Sequence, residues 1–405
     1  MWVFVMKQLA VLLLLLFATT AWSQGNIQWR GDRTGVYNET GLLKSWGENG
    51  PELLWQSDGL YEGFSSVAIA NGQIYITGLS CGKGFLHVLD MDGILIDKKE
   101  YGDEWDASHS GTRSTVTIND GRLYLISGMG KIICYDENSL DVVWQKDFEK
   151  DFGGEIPKYG VNESPLIVGN KLIVTPGGKT HNIVALDKKN GNVIWNCEAK
   201  GDISSYCSPI YVDGLQVPQV ITITGHHIVG VDISDGKLLW SVPYTNRFFE
   251  HPNTPVYDNG MVFCTSSYGV GSVMLRLTDG GRGVEQVWEA KELDPRTGHF
   301  LKYGDYLYGA GDNNSYWYCV DWKTGKIMYR DKSLAVGAII AADGMLFCYS
   351  EKGEMALVKS NPEKFDIISR FSVKAGSGPH WAHPVVHKGV LYVRHGDSLM
   401  AYKIK

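Results

Sequence analysis

Apolar and polar residues alternate along this chain in short runs, and the pattern recurs roughly every 40 to 50 residues. The repeated unit is an apolar stretch that ends in Asp, a turn that contains Gly, and a second apolar stretch that ends in an aromatic residue. Clear copies end at Trp144, Trp195, Trp240 and Tyr329, and weaker copies end at Ile96 and Trp288. A repeat of this length with strand-like alternation is typical of a β-propeller or a related array.

Each repeat predicts four short strands. One copy reads ESPLIVGN, KLIVTPGG, HNIVALDKKNG and NVIWNCEA, in which Val, Ile and Leu are frequent and turn residues separate the runs. Pairs such as Asn71-Gly72 and Asp120-Gly121 supply the positive backbone angles that tight hairpins need. The repeats are therefore predicted to be antiparallel four-stranded blades.

The number of first strands predicts eight blades. These strands are expected to begin near Phe64, Arg113, Glu163, Cys207, Asn253, His299, Val336 and Ala382. The last repeat ends after three strands with SLMAYKIK, whereas PELLWQS, which carries Trp55, stands alone near the N-terminus. Together they are predicted to complete one blade and close the ring, which removes the exposed edges of an open array. The predicted fold class is all-β, an eight-bladed β-propeller in one domain over residues 24–405.

The aromatic residue of each repeat is predicted to hold neighbouring blades together. A large ring in the outermost strand buries much area, and an indole N–H reaches a backbone carbonyl. The positions are Trp55, Trp144, Trp195, Trp240, Trp288 and Tyr329. Ile96 and Ser369 occupy the same repeat position in two other blades, so those two junctions are expected to be looser.

The first residues do not follow the repeat. Lys7 precedes the apolar run LAVLLLLLFA, and Ala21 and Ser23 are placed as for cleavage by signal peptidase. This pattern predicts a secretory signal peptide over residues 1–23 rather than a membrane span. No Cys follows the cleavage site, so we expect a periplasmic or extracellular protein without a lipid anchor. The formal net charge of −7 argues against nucleic acid or an anionic membrane surface as a partner.

The seven cysteines leave two alternatives open. Cys197 and Cys207 lie in successive repeats, where a disulfide is one alternative in an oxidising compartment and free thiols are the other. Cys134, Cys264 and Cys319 lie among apolar residues of predicted strands, where a thiol behaves as a small hydrophobe. An odd count leaves at least one thiol unpaired within the chain.

The repeated unit and the opening IQWRGDRTGVYNETGLLKSWGENGPELLW resemble the pyrroloquinoline-quinone-like repeat family of eight-bladed propellers. The resemblance extends over essentially the whole chain after the signal peptide, and it implies the propeller fold. For function it implies two alternatives. The family includes quinone-dependent alcohol and polyvinyl-alcohol dehydrogenases, and also non-catalytic proteins such as the outer-membrane assembly factor BamB.

For a dehydrogenase, the resemblance implies a disulfide between adjacent cysteines, a Trp beneath the quinone, and Glu, Asn and Asp around a calcium ion. No two cysteines of this chain are adjacent. Glu163 beside Asn162 offers an oxygen ligand, and Arg113 offers a partner for a quinone carboxylate, but no Asp lies at a matching position to act as the base. No catalytic residue, metal ligand or cofactor is therefore predicted. Pyrroloquinoline quinone with Ca²⁺ belongs to the alternative hypothesis.

A ligand or partner face is predicted where the first strands begin, because these strands line the central channel of a propeller. The segments before them mix aromatic and polar side chains at positions where small or apolar residues would close the channel. The candidate residues are Glu62, Arg113, Asn162, Glu163, Tyr206, His251, Asn253, His299, His380, Trp381 and His383. His380 and His383 are three residues apart, so their rings point to opposite faces of an extended segment, and a metal site is not expected.

The leading hypothesis is an exported, non-catalytic propeller that acts as a binding or scaffold module in the cell envelope. It is expected to bind an envelope protein or a glycan through one face, to be a monomer and not to span the membrane. The alternative hypothesis is a quinone-dependent alcohol or polyvinyl-alcohol dehydrogenase.

Overall fold

Tight turns divide the chain into strands at the places that the repeat predicts. The computed structural model describes residues 26–405, so the predicted signal peptide over residues 1–23 lies outside the described residues. Asn71 and Asp120 both have a φ of 50°, and the glycines that follow them also have positive φ. Each pair forms a two-residue hairpin between the first two strands of a blade.

The first four blades are contiguous in the chain, and each has its strands side by side in chain order. Blade 1 consists of Ala68–Ala70, Gln73–Ser80, Lys83–Asp90 and Leu95–Asp103. Blade 2 consists of Thr117–Asn119, Arg122–Ile126, Lys131–Asp136 and Val142–Asp147. Blade 3 consists of Leu166–Val168, Lys171–Val174, Ile183–Asp187 and Val193–Cys197. Blade 4 consists of Ile210–Val212, Gln219–Ile223, His227–Asp232 and Leu238–Pro243.

The remaining blades repeat this order, except that the eighth takes its outermost strand from the N-terminal part of the chain. Blade 5 consists of Val256–Asp258, Met261–Ser266, Gly271–Thr278 and Gly283–Ala290. Blade 6 consists of Leu301–Tyr303, Tyr306–Gly311, Tyr316–Asp321 and Ile327–Asp331. Blade 7 consists of Gly337–Ala342, Met345–Ser350, Glu354–Lys359 and Asp366–Ser372. Blade 8 consists of Val385–His387, Val390–His395, Ser398–Lys403 and Glu52–Ser57.

Little else in the described chain is regular structure. The helical elements are the short α-helix Phe148–Phe152 after blade 2 and the 3₁₀ turn Asp279–Gly281 in a hairpin of blade 5. Within residues 26–405, no helix has the length and apolar character needed to cross a membrane. The predicted fold class, an all-β eight-bladed propeller, is confirmed.

Closure of the ring follows the predicted pairing. The strand Glu52–Ser57 pairs antiparallel with Ser398–Lys403, so the two ends of the repeat region share one sheet. First strands begin one to four residues later than the sequence pattern predicted. The residues just before the first strands alternate between apolar and polar, as strand residues do. However, they form hydrogen bonds to neighbouring blades at the axis and not within their own sheet.

Apolar side chains on the faces of adjacent blades form the core. Leu86 and Val88 of blade 1, for example, belong to one buried cluster with Leu123 and Ile133 of blade 2. Burial of apolar area of this kind is the main favourable contribution to folding. Each blade is therefore stabilised largely by its two neighbours.

Fourth-strand tryptophans connect most of the neighbouring blades. Trp144 lies against the turn glycine Gly191 of the next blade, and its Nε1–H donates to the Lys188 carbonyl at 3.0 Å. A Cβ atom on Gly191 would come within 2.8 Å of the indole ring, so the turn accepts only glycine. The same contact recurs with donor distances of 2.8 Å from Trp55 to Met91 O, 3.0 Å from Trp195 to Ile233 O and 3.2 Å from Trp288 to Trp322 O.

Two of the predicted aromatic positions make a different contact. Trp240 donates to Oε1 of Gln219 in its own blade at 2.7 Å, and the Gln219 amide in turn donates to Gly281 O of blade 5 at 2.9 Å. Tyr329 packs near Phe365, with ring centroids 6.2 Å apart, and its hydroxyl has no hydrogen-bond partner among the described residues. Gln219 thus links the Trp240 indole to blade 5 at one junction. At the other junction, an aromatic contact between Tyr329 and Phe365 takes the place of the hydrogen bond to the next blade.

The two junctions without a fourth-strand tryptophan use other aromatic residues. Ile96 is 53% exposed, and the buried aromatic residue of that strand is Tyr101, which lies in the core cluster shared with blade 2. Ser369 accepts a hydrogen bond from the Trp46 backbone N–H at 3.0 Å, and the Trp46 ring lies 5.9 Å from that of Phe371. Aromatic packing is therefore present at both junctions, displaced from the repeat position.

The segment that precedes the ring-closing strand crosses the central channel. Backbone N–H groups of Ile69 and Ile118 donate to the carbonyls of Asn26 and Ile27, both at 2.8 Å, and so attach the segment to blades 1 and 2. The short strand Val36–Tyr37 then pairs parallel with the first strand of blade 7. We call residues 26–37 the axial segment.

Two arginines of the axial segment are buried at the axis. Arg33 is 5% exposed and donates to the carbonyls of Pro209, Ser164 and Pro165 at 3.0, 3.2 and 2.6 Å. Arg30 is also buried, and it donates to a carbonyl of blade 6 at 3.4 Å. A guanidinium group has five N–H donors in a fixed plane, which suits carbonyls that converge from several blades.

Loss of a docking tryptophan should destabilise the ring. Trp195→Ala should lower the free energy of unfolding by about 3 to 5 kcal/mol, because the ring packed on Gly236 and its indole hydrogen bond are both removed. Guanidinium chloride denaturation measures the change. Ile96→Ala, at the exposed equivalent position of blade 1, is the control and should cost less than about 1 kcal/mol. Equal losses at the two positions would contradict the docking role of the tryptophan.

Loss of the buried Arg33 side chain should destabilise the fold about as much as loss of a core side chain. Arg33→Met should lower the free energy of unfolding by more than about 2 kcal/mol, because the buried carbonyls of Ser164 and Pro209 lose their donor and each costs about 1 to 3 kcal/mol when unpaired. The Pro165 carbonyl keeps its hydrogen bond from the Thr117 hydroxyl. Arg370→Met, at an exposed position of blade 7, is the matched control and should change stability by less than about 0.5 kcal/mol. An unchanged denaturation midpoint in Arg33→Met would show that the axial segment does not support the ring.

Candidate functional site

One repeat position forms a belt around the axis. It is the residue two places before each first strand. Several members form hydrogen bonds from one blade to the next. The Ser66 N–H donates to Thr115 Oγ1 at 3.1 Å, the Thr115 N–H donates to Ser164 Oγ at 3.0 Å, and the Ser164 N–H donates to Ser208 Oγ at 3.0 Å. We call this set the inner belt. Its members are Ser66, Thr115, Ser164, Ser208, Thr254, His299, Ala335 and His383.

Side chains alternate along the extended segments that lead into the belt. Seven of the eight residues two places before the belt line a cavity on the axis; they are Phe64, Arg113, Asn162, Tyr206, Pro252, Thr297 and Trp381. The residues between these two positions are instead buried within the ring; they include Ser65, Ser114, Glu163, Cys207, Asn253, Leu334 and Ala382. Distance from the first strand therefore decides which side chains reach the cavity.

The cavity has a volume of about 330 Å³ and a floor made by the axial segment. Trp29 lies edge-on to two belt histidines, with ring centroids 5.6 Å from His299 and 4.9 Å from His383. Its indole N–H donates to Thr254 Oγ1 at 3.3 Å. The cavity is therefore closed at Trp29, and it accepts a ligand from one side.

Aromatic rings form much of the wall, and none of the neighbouring pairs is parallel. Trp381 lies 5.0 Å from Phe64 at an interplanar angle of 48°, and 5.4 Å from His109 at 56°. On the other side, Tyr159 and Tyr206 are 6.4 Å apart at 39°, and the Tyr206 hydroxyl accepts from the Tyr159 N–H at 3.3 Å. The rings thus line a rounded cup rather than a slot.

Two cations and one carboxylate line the same cavity. Arg113 donates to Gly111 O at 2.8 Å, and although burial lowers its pKa to about 10, the guanidinium stays charged at neutral pH. Arg296 is exposed, and its guanidinium makes no hydrogen bond or ion pair with another residue of the described chain. Glu250 is buried and accepts from the Tyr268 hydroxyl at 2.6 Å.

The belt histidines are neutral and have free ring nitrogens. Burial, together with the charge of nearby Arg30, lowers the pKa of both His299 and His383 well below the ordinary value. Both nitrogens of His383 and Nδ1 of His299 have no hydrogen-bond partner within residues 26–405. These three nitrogens are fully buried, so they lie behind the surface of the cavity and not on it.

Three residues of the wall have backbone conformations that are rare for residues other than glycine. Tyr206, His109 and Tyr268 have φ values of 73°, 56° and 63°. Such conformations cost about 1 to 3 kcal/mol each and are concentrated at functional sites. Here they direct three large rings toward the same cavity.

Six of the residues predicted from the sequence line this cavity: Arg113, Asn162, Tyr206, His299, Trp381 and His383. The structure places the other five elsewhere. Glu62 accepts from Ser110 Oγ at 2.6 Å in a separate surface depression. Asn253 is at an inward position of the alternation, and its amide donates to Pro295 O at 3.0 Å.

The remaining displaced residues have partners of their own. His251 Nδ1 lies 2.8 Å from Ser266 Oγ, inside blade 5. His380 is stacked on His395, with ring centroids 3.6 Å apart, and its Nδ1 lies 2.6 Å from the Tyr349 hydroxyl. His380 and His383 therefore do diverge, as the spacing of three predicted.

Glu163, the oxygen ligand that the alternative hypothesis would use, is turned away from the channel. Its Oε2 accepts from the Thr175 N–H at 3.0 Å inside blade 3, and Oε1 has no partner among the described residues. Desolvation raises the pKa of Glu163 to about 8, and the Thr175 hydrogen bond and the charge of Arg33 only partly oppose this shift. The carboxyl is therefore largely protonated at neutral pH and is a poor ligand for a cation.

The donor set does not fit a calcium-bound quinone. Across residues 26–405, no group of three or more His, Cys, Asp or Glu side chains is placed to hold a metal ion. Glu62 and Glu163 lie in different parts of the molecule, and Cys197 and Cys207 are free thiols. Neither a calcium-ligand set nor a disulfide platform is therefore found at the channel.

Several cavity residues have no counterpart in the sequence prediction; they are Trp29, Tyr159, Ser164, Ser208, Glu250, Pro252, Tyr268, Arg296 and Thr297. Ser164, Ser208 and Thr297 follow from the two-residue alternation once the first strands are located. Trp29 and Tyr159 come from non-repeated segments, which no repeat pattern aligns.

The fold and this geometry agree with a match to a protein family. The family model described as outer membrane protein assembly factor BamB matches residues 52–331. The chain belongs to the BamB family. The predicted resemblance to the propeller family is thereby confirmed.

Individual relatives in and near the BamB family are distant. The outer membrane protein assembly factor BamB of Shewanella oneidensis is 22% identical over 253 residues, and the match covers 58% of this chain and 61% of that protein. The match therefore spans less than two thirds of that relative's length.

Solved structures share the fold. BamB from Moraxella catarrhalis matches with a TM-score of 0.64 at 14% identity, covering 87% of this chain and 100% of that one. The quinohemoprotein alcohol dehydrogenase of Comamonas testosteroni matches with 0.65 at 11% identity, covering 95% and 81%. At such identities the likeness shows the fold alone.

The buried Glu163 should make stability depend on pH. Its pKa of about 8 lies above the ordinary value of about 4.3, so the folded chain binds this proton more tightly than the unfolded chain. The free energy of unfolding should therefore fall as pH rises between these two values, by at most about 1.4 kcal/mol per pH unit. Urea denaturation across this range should show the loss in the natural chain and a flatter profile in Glu163→Gln. Glu48→Gln, at an exposed position, should keep the natural profile; a profile unaltered by Glu163→Gln would contradict the assignment.

Proposed function

We propose that this chain is a non-catalytic binding module of the cell envelope, exported by the predicted signal peptide. The observation that carries the proposal is the one-sided axial cavity, whose wall combines aromatic rings with an unpaired arginine. A concave site with a few convergent polar groups is the usual form of a ligand site. Membership of the BamB family supports an envelope role and the binding of another envelope macromolecule.

The alternative, a quinone-dependent dehydrogenase, is less well supported by the residues of the channel. A quinone held by calcium needs several oxygen ligands and a nearby base. Glu163 faces the interior of blade 3, and Asn162 and Arg113 reach the cavity without a carboxylate partner that could complete such a site. The cavity's carboxylate, Glu250, is already bonded to Tyr268.

A binding module and a dehydrogenase differ in what they do with the cofactor. Purified protein given pyrroloquinoline quinone, Ca²⁺ and short alcohols should neither alter the absorption spectrum of the quinone nor reduce an artificial electron acceptor. Calorimetry should detect no quinone binding that depends on Glu163. Alcohol-dependent dye reduction that is lost in Glu163→Gln would overturn the proposal in favour of the dehydrogenase.

Binding by the cavity is tested with envelopes. The purified protein should sediment with isolated envelopes of the organism that encodes it, and Arg296→Ala with Trp381→Ala should reduce the bound fraction at least about tenfold, as expected when central aromatic and arginine contacts of an interface are lost. Arg370→Ala, on the outer edge of blade 7, should bind normally. Equal sedimentation of all variants would show that the cavity is not the binding face.

A further inference from the structure

The electrostatics of the cavity favour an anion. Arg113 and Arg296 line the wall, and Arg30 and Arg33 lie buried in the axial segment, where they donate to backbone carbonyls rather than to carboxylates. Glu163 is the acidic group that interacts most strongly with the charge of Arg33, and its raised pKa keeps it largely protonated at neutral pH. Glu250 also lines the cavity, and Glu104 interacts with the charge of Arg113, so carboxylates partly offset the arginines of the wall. Arg296, whose guanidinium makes no hydrogen bond or ion pair within the described chain, is the cation that remains available to an anionic ligand.

The shape of the cavity favours a puckered ring over a flat one. Neighbouring aromatic pairs in the wall are inclined at 39° to 56°, and Trp29 at the floor is inclined at 70° to His299. Inclined rings form apolar facets, against which the C–H faces of a sugar ring pack.

Polar groups between these facets suit hydroxyls. Asn162 and the belt residues Ser164 and Ser208 lie in the wall. A side-chain amide offers both donors and an acceptor, and a serine hydroxyl donates and accepts, as a sugar hydroxyl does. The wall therefore matches a group that carries several hydroxyls.

The closed floor limits the ligand to the end of a chain. A volume of about 330 Å³ is near the lower limit for small-molecule sites, and Trp29 blocks passage along the axis. A peptide is a poorer occupant, because peptides in extended form are commonly read by pairing with a free strand edge. At this axis the axial segment and the inner belt already bond to the first strands.

A row of cations and aromatic rings continues the wall toward the solvent. Lys158 lies 4.9 Å from the ring centroid of Tyr159, and Arg247 lies 4.6 Å from Phe248 and 5.8 Å from Tyr268. Phe248 is 40% exposed although it is apolar. We call Lys158, Arg247 and Phe248 the rim. It offers positive charge and apolar surface to whatever extends out of the cavity.

We propose that the cavity binds the terminal residue of an acidic glycan, with its carboxylate at Arg113 and Arg296 and its ring against Trp381 and Phe64. The rim then holds the next acidic residues of the same glycan. Planar guanidinium groups pair with carboxylates through two parallel hydrogen bonds, which fixes the orientation of the bound end. This inference rests on the proposed function, because it names the partner class of the same binding site.

Calorimetry and tryptophan fluorescence with tri-galacturonic acid and tri-mannuronic acid test the inference. At least one of the two should bind the purified full-length protein and change the fluorescence, and its affinity should fall with added salt, since exposed charges are screened. Arg296→Ala should weaken binding at least about tenfold, as expected for a hydrogen bond to a charged group. Arg296→Lys should restore part of the affinity, and Arg370→Ala should bind as the natural chain does.

Matched probes separate charge from shape. The methyl ester of the same trisaccharide keeps the sugar rings and removes the carboxylates, so it should bind at least about tenfold more weakly. Amidated tri-glutamate keeps the carboxylates on a peptide and should show no binding that depends on Trp381. Equal binding of the ester would overturn the role of the arginines. Equal binding of the peptide, with the same dependence on Arg296 and Trp381, would replace the glycan by an acidic protein segment.

Failure of the inference is distinguishable from failure of the proposed function. If neither acidic sugar binds at millimolar concentration while sedimentation with envelopes still depends on Arg296 and Trp381, the glycan is wrong and the binding module stands. If quinone binding with alcohol-dependent dye reduction is found, both are wrong. Denaturation midpoints of all variants confirm that each one is folded.

Discussion

Convergence of the inner strand edges on one axis is the constraint on which the rest of this structure depends. A sheet edge presents backbone groups without a partner, and a ring of eight blades brings eight such edges together where little water is present. The chain satisfies these groups in two ways. The inner belt bonds one blade to the next, and the axial segment supplies Arg30 and Arg33 to carbonyls of separate blades.

This solution also determines the form of the channel. Because residues 26–37 must lie on the axis to reach the carbonyls, they place Trp29 across it and close one side. The same buried guanidinium groups remain charged, since their pKa of about 10 is still far above neutral pH. The segment that stabilises the ring therefore also closes one side of the cavity.

The sequence predicted the repeated part of the molecule well and the non-repeated part poorly. Strand alternation, Asn-Gly and Asp-Gly turns and the fourth-strand tryptophans are local signals, so the eight blades and the closing strand could be counted directly. Whether a side chain reaches the cavity depends instead on its position in the two-residue alternation before each first strand. Asn162 and Arg113 lie in the phase that faces the cavity, whereas Glu163 and Asn253 are one residue out of phase and are buried within the ring.

Loops posed a different difficulty. Tyr159, Glu250 and Arg296 reach the cavity from connections between blades, where no period aligns one copy with another. Trp29 belongs to the opening that suggested the family, but its position on the axis depends on hydrogen bonds to Thr254 and on the backbone pairing of Asn26 and Ile27. Contacts between residues this far apart in the chain leave no local pattern.

Two departures from the repeat in the inner belt coincide with the floor of the cavity. The inner belt carries a hydroxyl residue in blades 1 to 5, but His299 and His383 replace it in blades 6 and 8. A histidine there adds little to the bonding between blades, since three of the four ring nitrogens have no partner in the described chain. Both rings instead meet Trp29 at the floor of the cavity. Because bonding between blades alone would favour another serine or threonine, these two positions are better explained by their contact with Trp29, which sets the shape of the floor.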